Sequence, residues 1–215
     1  MRIVLLNGSP KRKESASRTL LEELKYYLFE KKGLSEAETG EVGLHQAAVS
    51  GEALAGLGDA EAWVFAFPLY VDGIPGHLLS CLAQLEEACS TSRKVHIYGI
   101  VNCGFYEGIQ AEPALELLQN WCEKTGCIWS GGLGVGGGGG LGQIPSGKKG
   151  QGPLGPVDLA LEALADRILQ GEKQENRYVS VALPRFLYKN AAQWGWRQMI
   201  KRNGGRKRDL GTRPK

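Results

Sequence analysis

The chain has 215 residues, of which 42% are hydrophobic and 23% are charged, values that are typical of a globular protein and exclude a wholly disordered one. This length suits one domain with an appendage. The net charge of +3 is unevenly distributed, because residues 185–215 contain ten basic residues and one acidic residue, against 16 basic and 22 acidic residues elsewhere. An acidic body of net charge −6 therefore precedes a basic tail of net charge +9.

The N-terminus, the cysteines and the histidines limit the compartment and the chemistry. The apolar run at residues 3–6 is too short for a secretory signal or a membrane span, so a cytoplasmic protein is expected. Five cysteines, an odd number without a CxxC pair, argue against a disulfide framework and against a zinc or iron–sulfur site. The three histidines are scattered, so no metal site is expected, and a surface position on a helix is predicted for His77.

Predicted strands and helices alternate along the first 170 residues. Strands are predicted in RIVLLN (residues 2–7), around residues 41–44, and in AEAWVFAFPLY (60–70), KVHIYGIVN (94–102) and CIWSGGLGV (127–135). Helical spacing is found from Leu20 to a stop at Gly33, and in residues 51–57, 75–89, 113–126 and 156–171. This alternation predicts a doubly wound α/β fold with a five-stranded parallel sheet of order 2-1-3-4-5. Ligands of such sheets bind where the strand order reverses, here beyond the first and third strands.

The loop after the first strand is suited to an anion. Residues 7–19 carry hydroxyl groups at Ser9, Ser15, Ser17 and Thr19, directly before a helix. A helix start presents unpaired amides and a partial positive charge. A single serine at this place is most often a helix cap, but four hydroxyls at the edge where the strand order reverses favour a phosphate ligand.

The loops after the third and fourth strands are suited to a flat ring. Residues 67–76 contain two prolines and two glycines, and Tyr70 offers an aromatic face for stacking. Residues 102–108 again combine glycines, aromatic residues and polar groups. Either loop alone would be an ordinary turn, but both are predicted to lie beside the phosphate loop.

These three loops resemble those of the flavodoxin-like NAD(P)H-dependent FMN reductase family. GSPKRKESASRTLL resembles the GSPR-type phosphate loop, PLYVDGIPGHL resembles the P-x-Y-x-x-x-x-P-G flavin loop, and NCGFYEG stands at the place of the third loop. The resemblance covers residues 1–170 and implies a flavodoxin-like FMN-binding domain at residues 1–172. It also implies hydride transfer from NADH or NADPH to the flavin, a small-molecule acceptor such as a flavin or quinone, and a homodimer.

The resemblance assigns roles to residues of this chain. The FMN phosphate would be bound by Ser9, Lys11, Ser15, Ser17 and Thr19; the isoalloxazine ring and ribityl chain would lie against Pro68, Leu69, Tyr70, Val71 and Gly73; and the pyrimidine side would face Asn102, Gly104, Phe105 and Tyr106. No catalytic side chain is expected, since the flavin carries the chemistry. The extra residues 13–14 leave open which hydroxyl reaches the phosphate. The alternatives are a non-catalytic FMN electron carrier and a membrane-associated protein of the same fold.

Two further segments have more than one interpretation. The glycine tract at residues 131–142 is either a flexible connection or a flap near the flavin; its G-x-G-x-x-G spacing precedes no helix and is attributed to chance. Residues 173–215 form a basic, aromatic extension, predicted to be an amphipathic helix with a disordered end. This helix would lie on an anionic membrane surface, pack against the body or a second subunit, or bind an acidic protein. No nucleic acid partner is expected.

Overall fold

The computed structural model describes residues 1–91, 94–138, 141 and 148–212, and the chain forms two compact units, Met1–Ala182 and Leu183–Lys215. The strands of the first unit are β1 (Ile3–Asn7), β2 (Thr39–Gly43), β3 (Ala62–Pro68), β4 (His96–Asn102), β5 (Ile128–Val135) and β6 (Arg177–Val179). Its helices are α1 (Ala16–Tyr26), α2 (Gly51–Leu57), α3 (Gly76–Thr91), α4 (Glu112–Thr125) and α5 (Gly155–Gln170). The second unit contains α6 (Arg185–Arg202) and a short 3₁₀ turn, Lys207–Gly211.

The sheet is parallel throughout and has six strands in the order β2-β1-β3-β4-β5-β6. The predicted order 2-1-3-4-5 is confirmed for the first five strands, but the prediction of only five strands was wrong. The sixth strand pairs with β5, with Leu133 opposite Arg177 and Val135 opposite Val179. It has only three residues and no apolar run, so its place in the sheet is set by backbone pairing and leaves little trace in the sequence. It also lies beyond residue 172, where the FMN-binding domain was predicted to end.

The central strands are buried on both faces, which explains their continuous apolar sequences. Helices α1 and α5 pack together on one face of the sheet, and α2, α3 and α4 form the layer on the other. Helix α1 turns Ser17, Leu20, Leu21 and Leu24 inward, at the spacing of one helix face. On the opposite face, Val4 and Leu6 join the core cluster with residues of α3 and α4.

The ends of the helices follow the local sequence closely. Gly126 and Gly171 end α4 and α5 with φ angles of 76° and 64°, the left-handed conformation that glycine adopts without strain. The first predicted helix widens into a π turn at Tyr27–Lys31 before it reaches Gly33. No helix within the described ranges is both long enough and apolar enough to cross a lipid bilayer.

Candidate functional site

A cleft of about 770 Å³ opens at the carboxyl ends of β1, β3 and β4, where the strand order reverses. Its volume is in the usual range for small-molecule and cofactor sites. It is lined by Ser9, Lys11, Lys13, Glu14, Ser15, Ala16, Ser17, Arg18, Thr19, Glu22, Pro68, Leu69, Tyr70, Asn102, Gly104 and Gly138. Ten of the fourteen residues predicted to bind the cofactor are therefore brought together here.

The start of α1 forms one end of the cleft. Ser15 caps the helix: its Oγ accepts a hydrogen bond from the Arg18 amide at 3.1 Å, and its carbonyl accepts one from Thr19 Oγ1 at 3.3 Å. The hydroxyls of Ser15 and Thr19 thus serve the helix start itself. The amides of Ala16 and Ser17 precede the first intrahelical donor, so they are left for a ligand or water. Backbone donors, more than hydroxyls, make this end of the cleft suited to an anion.

Ser17, which was predicted to bind the phosphate, has a partner within the protein. Its Oγ donates a hydrogen bond of 2.7 Å to Oδ1 of Asn102, and both side chains are buried. The bond joins the first turn of α1 to the end of β4. This hydrogen bond therefore fixes the start of α1 relative to the end of β4, which form two walls of the cleft.

Ser9 is also buried and also organises the loop. Its amide donates to Oδ1 of Asn7 at 3.1 Å, and its Oγ accepts from the Lys11 amide at 3.3 Å. These bonds turn the chain sharply after β1. The exposed residues that follow, at positions 11–14, are three cations and one acid, so the rim of this end is positively charged.

Two histidines that the sequence analysis did not assign to the site contact the backbone of this loop. Nδ1 of His45 lies 2.6 Å from the Ser9 carbonyl oxygen. Nε2 of His77 lies 3.2 Å from the carbonyl oxygen of Gly8 and 3.1 Å from that of Leu44. Carbonyls only accept, so His77 carries its proton on Nε2. His77 lies on a helix, α3, as predicted, but it is half-buried and not fully at the surface, because its partners come from loops distant in sequence.

Close packing explains the glycine at the start of the same loop. A Cβ atom at Gly8 would lie 2.6 Å from Cδ2 of Leu78 and 3.1 Å from Cβ of Phe67. A side chain here would therefore require the Leu78 side chain or the loop after β1 to shift. Close packing is one reason for a glycine at position 8.

The loop after β3 forms the opposite wall. The amides and carbonyls of Tyr70 and Gly73 exchange two hydrogen bonds of 3.1 Å, and the two residues between them have positive φ angles, 49° at Val71 and 56° at Asp72. This is the geometry of a type I′ turn, which a β-branched residue adopts only with strain. The strain turns Val71 fully into solvent, while Tyr70 lines the cleft and is 46% exposed.

The loop after β4 rests on the glycines that follow β5. The amides of Gly137 and Gly138 donate to the carbonyls of Phe105 and Cys103 at 2.6 and 2.7 Å. A Cβ atom at Gly136 would lie 2.1 Å from the carbonyl oxygen of Tyr106. The described part of the glycine tract is thus a buried, closely packed strand end, so of the two interpretations left open, a flexible connection does not apply to residues 131–138. Residues 139–140 and 142–147, which include the end of the G-x-G-x-x-G match, lie outside the described residues.

Four of the predicted residues do not line the cleft: Val71, Gly73, Phe105 and Tyr106. Gly73 closes the I′ turn, and Phe105 is 53% exposed beside the cleft. Conversely, Arg18 and Gly138 line the cleft although sequence reasoning did not select them. Arg18 follows directly from the helix start and could have been found there, whereas Gly138 is brought in only by the pairing of β4 with β5.

The cleft is chemically divided along its length. Lys11, Lys13 and Arg18 lie around the α1 start together with Glu14 and Glu22, and Arg18 pairs with Glu22 at 2.7 Å. The other end is built from Pro68, Leu69, Tyr70 and Gly104. A ligand that fits both ends has an anionic group attached to a flat, largely apolar ring. The donor set of backbone amides and cations is suited to an anionic group such as a phosphate.

Comparison with solved structures gives the same fold. An apo NADH:FMN oxidoreductase matches with a TM-score of 0.59 and 16% identity over 81% of this chain and 91% of that chain. A WrbA-like flavodoxin protein from Agrobacterium tumefaciens matches with a TM-score of 0.53 and 15% identity over 79% and 99%. An NAD(P)H:quinone oxidoreductase from Methanothermobacter marburgensis matches with a TM-score of 0.53 and 16% identity over 78% and 96%. The predicted flavodoxin-like fold is thereby confirmed. No protein-family model and no curated protein matches the sequence.

Proposed function

We propose that this protein is an FMN-dependent NAD(P)H oxidoreductase related to the FMN reductases. The observation that carries the proposal is the divided cleft where the strand order reverses, with a helix start and three cations at one end and Tyr70 at the other. Two of the structural neighbours carry names of the same kind, NADH:FMN oxidoreductase and NAD(P)H:quinone oxidoreductase. Since one fold can host several functions, the site has more weight in the proposal than these names.

The residues of the chain bind and orient the cofactor. The amides of Ala16 and Ser17 and the cations of residues 11–18 hold the phosphate, and Tyr70 with the backbone after β3 lies against the ring. When bound, FMN supplies the redox chemistry, accepting hydride from NADH or NADPH at N5 and passing electrons to a flavin, a quinone or a similar acceptor. We place this reaction in the cytoplasm.

A homodimer belongs to the proposal because of what lies beside the cleft. Val71 is fully exposed at the tip of a strained turn, and Phe105 is more than half exposed nearby in the next loop. A second subunit resting on these two loops would bury both side chains and close the ring end of the cleft. Sedimentation equilibrium of the chain and of Val71→Asp is the test, with a dimer for the first and a monomer for the second.

The phosphate site can be tested without disturbing the helix. Ala16→Glu adds a carboxylate in the first turn of α1. The helix dipole stabilises a negative charge at this end of the helix, but the carboxylate repels a phosphate. We expect the Kd for FMN to rise by about tenfold or more, which corresponds to ~1.4 kcal/mol, with little change for riboflavin, which has no phosphate. Quenching of flavin fluorescence gives both constants.

Gly51→Glu is the matched control, since Gly51 is the first residue of α2 and a Cβ there meets nothing within 4 Å. It should leave both constants unchanged. Equal loss of FMN and riboflavin binding in Ala16→Glu, or no loss of either, would refute the assignment of the phosphate end. Steady oxidation of NADPH with a dye acceptor would then separate an oxidoreductase from a non-catalytic electron carrier.

A further inference from the structure

Helix α6 presents large apolar side chains to solvent. None of its 18 residues, all of which the structure describes, is buried. The exposed fractions are 65% for Phe186, 62% for Trp194, 55% for Trp196 and 52% for Met199. Tryptophans are among the most costly side chains to leave in water, and contiguous exposed apolar surface usually marks an interaction site.

The sequence of α6 divides its surface into two arcs. Successive residues of an α-helix are turned by about 100°, so Lys189, Gln193, Arg197 and Lys201, four residues apart, lie along one side. The remaining arc is wider and mostly apolar, although Gln198 lies on it and Phe186 and Ile200 lie among the cations on the first side. It contains Leu187, Tyr188, Ala191, Ala192, Trp194, Trp196 and Met199.

The two tryptophans lie at the two borders between these arcs. Trp194 is seven residues before Lys201, and Trp196 is seven residues after Lys189, so each tryptophan is about 20° from a lysine around the helix. Tryptophan and lysine side by side, at both edges of an apolar face, are typical of helices that lie in the plane of a membrane interface. Arg185 and Arg202 stand at the two ends of α6 on the apolar arc, where their long stems allow the charges to reach water.

We propose that α6 and the basic residues after it form a docking surface for an anionic lipid bilayer. The apolar arc would enter the boundary between headgroups and acyl chains, and Lys189, Arg197 and Lys201 would contact lipid phosphates. Arg206, Lys207 and Arg208 follow within one short segment and add to the attraction. The whole tail has ten basic residues against one acidic residue, which is the charge complementary to an anionic leaflet.

Other classes of partner would make favourable contacts with only one of the two arcs of α6. A nucleic acid or an acidic protein segment would neutralise the cations but would leave the wide apolar arc largely uncovered. A second copy of α6 would cover the apolar arc but would bring together two segments of net charge +9. An anionic membrane provides both kinds of contact at once. The inference does not depend on flavin binding.

Vesicle co-sedimentation with the full-length protein tests the proposal. We expect binding to vesicles of equimolar phosphatidylcholine and phosphatidylglycerol, much weaker binding to phosphatidylcholine alone, and a loss of affinity as salt is raised. Each cation near an anionic surface contributes about fivefold in affinity. Lys189→Gln/Arg197→Gln/Lys201→Gln should therefore bind roughly a hundredfold more weakly. Lys31→Gln/Lys94→Gln/Lys173→Gln removes three exposed cations from the first unit and should bind as the wild type does.

Tryptophan fluorescence tests the apolar arc. Trp63 and Trp121 are in the core and Trp129 is partly buried against it, so a blue shift that appears on addition of anionic vesicles reports chiefly on Trp194 and Trp196. Trp194→Gln/Trp196→Gln should lose the shift and bind roughly tenfold more weakly or worse, whereas Trp194→Phe/Trp196→Phe should retain most of the affinity. Circular dichroism checks that the variants keep α6. Equal binding to neutral vesicles, absence of binding to anionic ones, or an equal blue shift with poly-L-glutamate would overturn the proposal, the last in favour of an acidic protein partner.

Discussion

Single hydrogen bonds hold the walls of the cleft, and the bond between Ser17 and Asn102 is the most deeply buried of them. Ser17→Ala would leave the buried Oδ1 of Asn102 without its donor. We expect a loss of about 1–3 kcal/mol in the free energy of unfolding, measured by urea denaturation. Ser80→Ala is the control, because that hydroxyl is exposed and its loss should cost less than about 0.5 kcal/mol. Similar values for the two variants would contradict a structural role for Ser17.

A second residue-scale prediction concerns the thiols of Cys89 and Cys127. A hydrogen bond from Cys89 lowers the pKa of Cys127 to about 7, whereas that bond and burial raise the pKa of Cys89. A lowered pKa means that the reactive thiolate of Cys127 is already populated near neutral pH. The rate of its alkylation by iodoacetamide should therefore rise through pH 7 and level off above it. In Cys89→Ala the same rise should move to higher pH, and an unchanged profile would contradict the bond.

At the scale of elements, the same substitution should have opposite effects at two glycines. At Gly136, which follows β5, a Cβ atom would clash with backbone atoms of the loop after β4; at Gly195, inside α6, it would meet nothing within 4 Å. Gly136→Ala should destabilise the first unit by roughly 2 kcal/mol or more because backbone must move. Gly195→Ala should increase the helicity of α6 and stabilise it by up to about 1 kcal/mol. Urea denaturation and far-UV circular dichroism measure the two effects.

The elements also differ in how far the sequence predicts them. Helices α4 and α5 were predicted almost to the residue, because their apolar spacing and the terminal Gly126 and Gly171 are local signals. Strand β2 begins at Thr39, before the predicted segment, and β6 was missed. Short edge strands bury few side chains, so their periodicity is weak and their pairing partners decide their limits.

At the scale of the whole molecule, the two units should be separable. All six strands and the cleft belong to Met1–Ala182, and Val181, near the end of this unit, is buried in it. A chain that ends at Ala182 should fold cooperatively and bind FMN with the affinity of the full-length protein. It should also lose binding to anionic vesicles. Loss of FMN binding in this shortened chain would mean that the tail contributes to the flavin site.

The charge of the chain is also divided between the first unit and the C-terminal tail. The acidic body of net charge −6 contains the cleft, and within that body the cations of residues 11–18 are a local exception around the α1 start. The basic tail is separate from them in sequence. Salt should therefore weaken the vesicle binding of the tail strongly, and FMN binding less, because the phosphate end relies largely on backbone amides.

The sequence by itself determined the alternation of strands and helices, the order of the first five strands and the three loops at one edge of the sheet, because these depend on local periodicity and on general rules for parallel sheets. Only the tertiary structure decided that Ser17 pairs with Asn102, that His77 contacts the loop after β1 and that the glycines after β5 are close-packed. Each of those contacts joins residues far apart in the chain. Their geometry depends on the relative positions of strands and loops from different segments of the chain. A local sequence pattern does not determine those positions.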